Sequence, residues 1–106
     1  MSVIETDKID GMGKGKENIE LILLITDHLD WKNEQEHLMI LQDKINSYLG
    51  FIESKQYVET YPNDNFENCV IEIHFKNGIS ENCFKFLDVV AKQVEEFNIK
   101  IRAEVA

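Results

Sequence analysis

Cysteine, proline and positive charge are all scarce in this 106-residue chain. The two cysteines, Cys69 and Cys83, lie too far apart for a CxxC clip, and no Cys-rich zinc pattern surrounds them. A reducing cytosol keeps such thiols free, so no disulfide is expected. Lysine and arginine number 11 against 20 acidic residues, which leaves a formal charge of −9. This balance argues against nucleic acid and anionic membranes as partners, because both are bound by basic surfaces. The longest apolar run, Leu21 to Ile25, falls far short of the ~20 residues that span a bilayer. The opening Met1-Ser2-Val3-Ile4-Glu5-Thr6-Asp7 lacks the basic and then apolar order of a secretory signal, so a cytoplasmic location is expected.

With 43% apolar and 29% charged residues, the composition is that of a folded chain. A chain of this length hides roughly two thirds of its unfolded surface, enough for one core, so residues 1–106 are read as a single domain. Lys8 to Met12 reads as a first strand. It is broken by Gly11-Met12-Gly13-Lys14-Gly15-Lys16 and followed by the β-branched run Asn18 to Thr26. Glycines between two extended segments predict a hairpin with a loop of three to five residues. The competing reading is a phosphate loop. It needs a helix start and a Ser or Thr after the lysine, whereas Glu17 and a strand follow here.

Asn33 and Glu36 have the spacing of a capping box. Leu38, Leu41, Ile45, Tyr48, Leu49 and Ile52 then recur at helical spacing, with Asp43, Lys44, Asn46 and Ser47 largely off that stripe. Gly50 is a weak point that suggests close packing, and the helix is expected to end near Ser54 or Lys55. Gln56 to Asn65 is irregular, with a turn at Pro62-Asn63-Asp64-Asn65. Cys69, Ile71, Ile73 and Phe75 alternate as one strand face, with Glu72 and His74 as a solvated pair on the other. Asn77-Gly78 turns the chain and Ser80 caps a second helix, whose stripe is Phe84, Leu87, Val90, Ala91 and Val94. Asn98 stops that helix, and Ile99 to Val105 alternates as a last strand.

The order ββαβαβ predicts an α+β two-layer sandwich, a four-stranded mixed sheet with both helices on one face. Ile45, Leu49, Ile71, Ile73, Leu87 and Ile101 are the expected core, with Lys44 on the opposite, solvated side of its helix. In the second strand Ile22 and Leu24 face away from Leu21, Leu23 and Ile25. They are expected to be covered, either by a second subunit in a homodimer or by the Gln56–Asn65 segment. The alternative is a central strand with scattered outer apolar residues that need no cover.

One constellation carries groups suited to chemistry: Thr26-Asp27-His28-Leu29-Asp30-Trp31, with Glu36-His37 close behind. Carboxylates and imidazoles at a strand end suit a metal or acid–base work, so Asp27, His28, Asp30, Trp31 and His37 are the candidate functional residues. Their spacing matches no His-Glu-x-x-His or calcium-loop pattern. The structural alternative is preferred: Asp30 or Asn33 caps the helix, Trp31 is largely buried, and His28 and His37 share no metal. Cys83 lies in the first turn of a helix, where a dipole can lower a thiol pKa, but a half-buried structural thiol is the favoured reading. No catalytic set, metal site or cofactor fingerprint is assigned.

Ile25-Thr26-Asp27-His28-Leu29-Asp30-Trp31, then Glu36-His37-Leu38, Gln42 to Leu49 and Phe51-Ile52-Glu53-Ser54, resemble a family of small uncharacterised bacterial proteins carrying a domain of unknown function. The likeness continues through Tyr61-Pro62, Val70–Phe75 and the last helix and strand. It implies a bacterial origin and a single cytosolic domain, and no activity. The leading functional expectation is a small acidic module without catalytic activity that binds a basic protein, with an immunity-type toxin neutraliser as one version. The alternative is a metal-binding protein or enzyme that uses the Asp27–Trp31 segment.

Overall fold

A computed structural model describes residues 2–15 and 19–105 of the chain. They form strands β1 (Gly11–Lys14) and β2 (Glu20–Asp27), helix α1 (Glu34–Glu53), strand β3 (Asn68–Phe75), helix α2 (Glu81–Val94) and strand β4 (Ile99–Val105). This is the expected α+β order. Lys16, Glu17 and Asn18, which belong to the expected hairpin loop and strand start, lie outside the described residues. The sheet order is β1-β2-β3-β4, with β1 antiparallel to β2 and the other three strands parallel.

Alternation sets the faces. Leu21, Leu23 and Ile25 stand level with Cys69, Ile71 and Ile73, and Ile99 and Ile101 continue these rows on β4. Leu41, Ile45 and Tyr48 of α1 and Cys83, Leu87 and Val94 of α2 join the same buried cluster, so both helices cover one face. Each such large apolar side chain contributes about 1.5–3 kcal/mol on burial. Ile45, Ile71, Ile73 and Leu87 are buried as expected, while Leu49 and Ile101 are only half-buried. Among the described residues no helix is long and apolar enough to cross a membrane.

Several local expectations are corrected. The first strand is Gly11–Lys14 rather than Lys8–Met12, because the chain before it bends so that the Glu5 and Lys8 carbonyls accept from the Lys44 ammonium. Lys44 is therefore fully buried rather than solvated. Phe84, placed on the α2 stripe from its spacing, is 67% exposed, and Cys83 takes the inward position instead. Gly50 marks no close packing: it is exposed, and a Cβ built on it meets nothing within 4 Å. Gly50→Ala is accordingly expected to raise stability by about 0.5–1 kcal/mol in urea unfolding, because alanine favours the helix and restricts the unfolded chain. A loss of stability would show that the helix needs glycine there.

The glycine-rich stretch is sheet packing. Gly11 and Gly13 pair with Leu24 and Ile22 on the face away from the helices. A Cβ on Gly11 would stand 3.3 Å from two Leu24 carbons, and one on Gly15 would stand 2.5 Å from Glu20 Oε1 and 3.1 Å from Ile22 Cδ1. Ile22 and Leu24 lean into that space and are half-buried. The Gln56–Asn65 segment does not cover them. Tyr57 and Tyr61 pack against the helix-side core, and Tyr61 and Asp64 reach Lys14, which stands opposite Leu21 on that same side.

Candidate functional site

Parallel β2, β3 and β4 end together beside the amino termini of α1 and α2, the end of a sheet where α/β proteins place ligands. The helix ends are tied to each other: Asn82 Nδ2 donates to Glu34 Oε1 at 2.9 Å. Hydrogen bonds from Ser80 and then Asn82 hold the Glu34 carboxyl below its ordinary pKa. The usual ligand crevice opens where successive crossovers part to opposite sides of the sheet. Here both crossovers advance in one direction, from β2 to β3 to β4, and both helices lie on one face, so the sheet has no such switch point. An open depression of about 320 Å³ lies at the strand ends, lined by Thr26, His28, His74 and Glu104 among others.

Asp27 ends β2 facing inward, and His37 stands one turn into α1. Their side chains meet at 2.6 Å, Nε2 to Oδ2, with side-chain exposures of 2% and 0% for His37 and Asp27. His37 Nδ1 lies 3.0 Å from the Asp30 carbonyl oxygen. A carbonyl only accepts, so Nδ1 carries a proton, and a further proton lies between Nε2 and Oδ2. The other Asp27 oxygen accepts from the Leu29 N–H at 3.1 Å. Trp31 closes the group: its ring stacks on His37 with centroids 3.8 Å apart at 20°, and its indole N–H donates to the Gly78 carbonyl at 2.9 Å. The strand end, the turn and the first helical turns are thereby clipped together, and both His37 nitrogens are occupied.

The five candidate residues are thus divided. Asp27, Trp31 and His37 come together, while His28 is exposed and takes no part. Asp30 contributes its backbone carbonyl to His37, and its carboxylate accepts from the Lys32 N–H at 3.1 Å without capping the helix. Asn33 holds the cap position but its side chain accepts nothing, so the expected capping box is absent. Trp31 is partly buried and packs against the core, with Phe75 also beside its ring at a centroid distance of 6.3 Å. Among the described residues no three His, Cys, Asp or Glu side chains are grouped to hold a metal ion.

A second polar group was not legible in advance. Lys44 Nζ donates to the Glu5 carbonyl at 2.7 Å, the Lys8 carbonyl at 2.5 Å and Asp10 Oδ1 at 2.8 Å, which satisfies all three ammonium protons. Asp10 Oδ2 accepts from the Thr26 N–H at 2.9 Å and from its hydroxyl. The Tyr48 hydroxyl donates to the Leu24 carbonyl and accepts from the Asp10 N–H. Burial pushes the Tyr48 phenol far above its ordinary pKa, so it stays a donor.

The other polar candidates lie apart from both groups. Ser80 Oγ caps α2 by accepting from the Cys83 N–H at 3.1 Å. Cys83 is wholly rather than half buried, and burial, with the Asp27 and Glu34 carboxylates adding to it, pushes its thiol pKa up to about 12. That is opposite in sign to activation by a helix dipole. Cys69 is also free and buried. His74 is exposed and lies 3.3 Å from Glu72, the solvated pair expected.

Outside the clip, an open depression of about 450 Å³ is lined by Ile4, His28, Leu29, Asp30, Asn33, Glu36, His37 and Ile40. A second, of about 660 Å³, adjoins it along α1 through Asn33, Glu36 and Ile40 and adds Glu34, Gln35, Met39 and Asp43. Among the described residues neither is lined by lysine or arginine, and Ile4 and Met39 are 54% and 60% exposed.

A family described as of unknown function, DUF6572, matches residues 1–106. No curated protein and no solved structure matches the chain.

Proposed function

The chain belongs to DUF6572, a family of unknown function, and we propose from its own surface that it is a non-catalytic module that binds a basic protein. The observation that carries this is the paired depression along α1. Exposed Ile4 and Met39 provide apolar contact, Asp30, Glu34, Glu36 and Asp43 surround them, and among the described residues neither lysine nor arginine lines the floor. Such a surface suits a partner segment in which lysine or arginine flanks an apolar residue, with the chain's net charge of −9 steering the encounter. An immunity-type role, in which that partner is a toxin, is one instance and rests on size and charge. The catalytic or metal reading draws less support, because Asp27 and His37 already satisfy each other and leave no free ring nitrogen.

The test is affinity capture from lysate with the wild type and with Glu36→Lys/Asp43→Lys, followed by binding of each captured protein after purification. The expected result is a basic protein held directly by the wild type, more weakly at high salt, and at least roughly tenfold more weakly by the charge reversal. Identical retention by both forms, or salt-independent binding, would overturn the reading.

A further inference from the structure

β4 is the free edge of the sheet. Asn98 lends its carbonyl to the Cys69 N–H, so along the strand Lys100, Arg102 and Glu104 direct their backbone groups to β3. Ile99, Ile101, Ala103 and Val105 direct theirs outward. The opposite edge, β1, is four residues long and is met at Lys14 by Asp64 and Tyr61, whereas β4 runs seven residues without proline or glycine. Beside β4 an open groove of about 340 Å³ lies against α2, with Phe84, Leu87, Ile101 and Ala103 on its walls. Phe84 is 67% and Val105 57% exposed.

We propose that this edge is a homodimer interface, in which β4 pairs antiparallel with β4 of a second copy about a two-fold axis at Ala103. The inference is independent of the proposed function. Charge order selects the occupant and the register. Lys100, Arg102 and Glu104 lie on the face away from the helices. Pairing about Ala103 sets Arg102 opposite Glu104 of the second copy, and Glu104 opposite the second copy's Arg102. Moving the axis to Arg102 would place two arginines in opposition, and moving it to Ile101 would place Lys100 against Arg102. Directly opposed like charges destabilise a strand pair, and opposite charges stabilise it. On the helix side the Ala103 register brings Ile101 against Val105 and sets the two small Ala103 side chains together. That leaves room for Phe84 of each copy to close over the axis. The paired edge satisfies the outward backbone groups and covers the groove.

Sedimentation velocity from micromolar to millimolar protein tests this, with circular dichroism to confirm that each variant is folded. The wild type is expected to show a monomer–dimer equilibrium. Arg102→Glu and Glu104→Arg should each weaken it by on the order of tenfold, because the symmetry doubles every like-charge contact. Combining the two substitutions should restore it, and a folded Phe84→Asp should be monomeric. A wild type that stays monomeric throughout, single reversals that dimerise normally, or a double variant that is not rescued would each overturn the proposal. So would a dimer that is lost in Leu24→Lys and kept in the reversals, which would place the contact on the outer face of β2.

Discussion

Lys44→Met is expected to cost about 3–5 kcal/mol in urea unfolding, more than any apolar truncation on the exposed rim of α1. Methionine fills the space of the lysine stem but donates nothing. The Asp10 carboxylate, 1% exposed, is then left without its cation, and the Glu5 and Lys8 carbonyls lose their donor. A buried ion pair adds little compared with apolar residues of equal size, yet removing one member leaves the full desolvation penalty of the other. Adding Asp10→Asn to Lys44→Met should therefore recover about 1–2 kcal/mol, since the charge is gone while an oxygen still accepts from Thr26. Leu49→Ala, at a half-buried position, should fall at the low end of the ~2–5 kcal/mol range for core truncations. If Lys44→Met costs less than about 1 kcal/mol, the ammonium is solvated and the N-terminal segment does not wrap it.

The strands and helices that obey one period were legible. β2, β3 and β4 alternate with period two, and Ser80, Gly78 and Asn98 occupy the cap and turn positions that their chemistry favours. The face of α1 was misjudged by a rotation. Its buried residues are His37, Leu41, Lys44, Ile45 and Tyr48, a helical stripe that starts one residue earlier than the purely apolar one. A stripe that contains histidine and lysine reads as solvated unless their partners are known. Those partners are Asp27, Asp10 and two backbone carbonyls from irregular chain, none of which has a periodic signature. One signal was available: Gly11, Gly13 and Gly15 repeat with period two, which marks a strand with one bare face. The Asp27–Trp31 segment stands out in the sequence by its concentration of carboxylates and imidazole, but which of its side chains turn inward depends on the turn that follows β2.

Asp27→Ala and Asp27→Asn are expected to differ sharply, and the difference separates a structural clip from a reactive site. Alanine removes the acceptor of the His37 Nε2 side and of the Leu29 N–H inside a site that is 2% exposed or less, so a loss of about 3–5 kcal/mol follows. Asparagine can keep every contact. Its oxygen accepts from Leu29, and its amide donates to the lone pair of a neutral His37 that still gives its Nδ1 proton to Asp30. The loss should then stay below about 1.5 kcal/mol, with the Trp31 fluorescence environment retained. His28→Ala, at an exposed position, should leave stability unchanged. Zinc titration followed by NMR completes the comparison: the clip predicts that any shift at His28 occurs without one at His37. Equal damage from alanine and asparagine, or paired histidine shifts at stoichiometric zinc that vanish in His28→Ala, would make the aspartate charge itself the working group and return the segment to metal or acid–base chemistry.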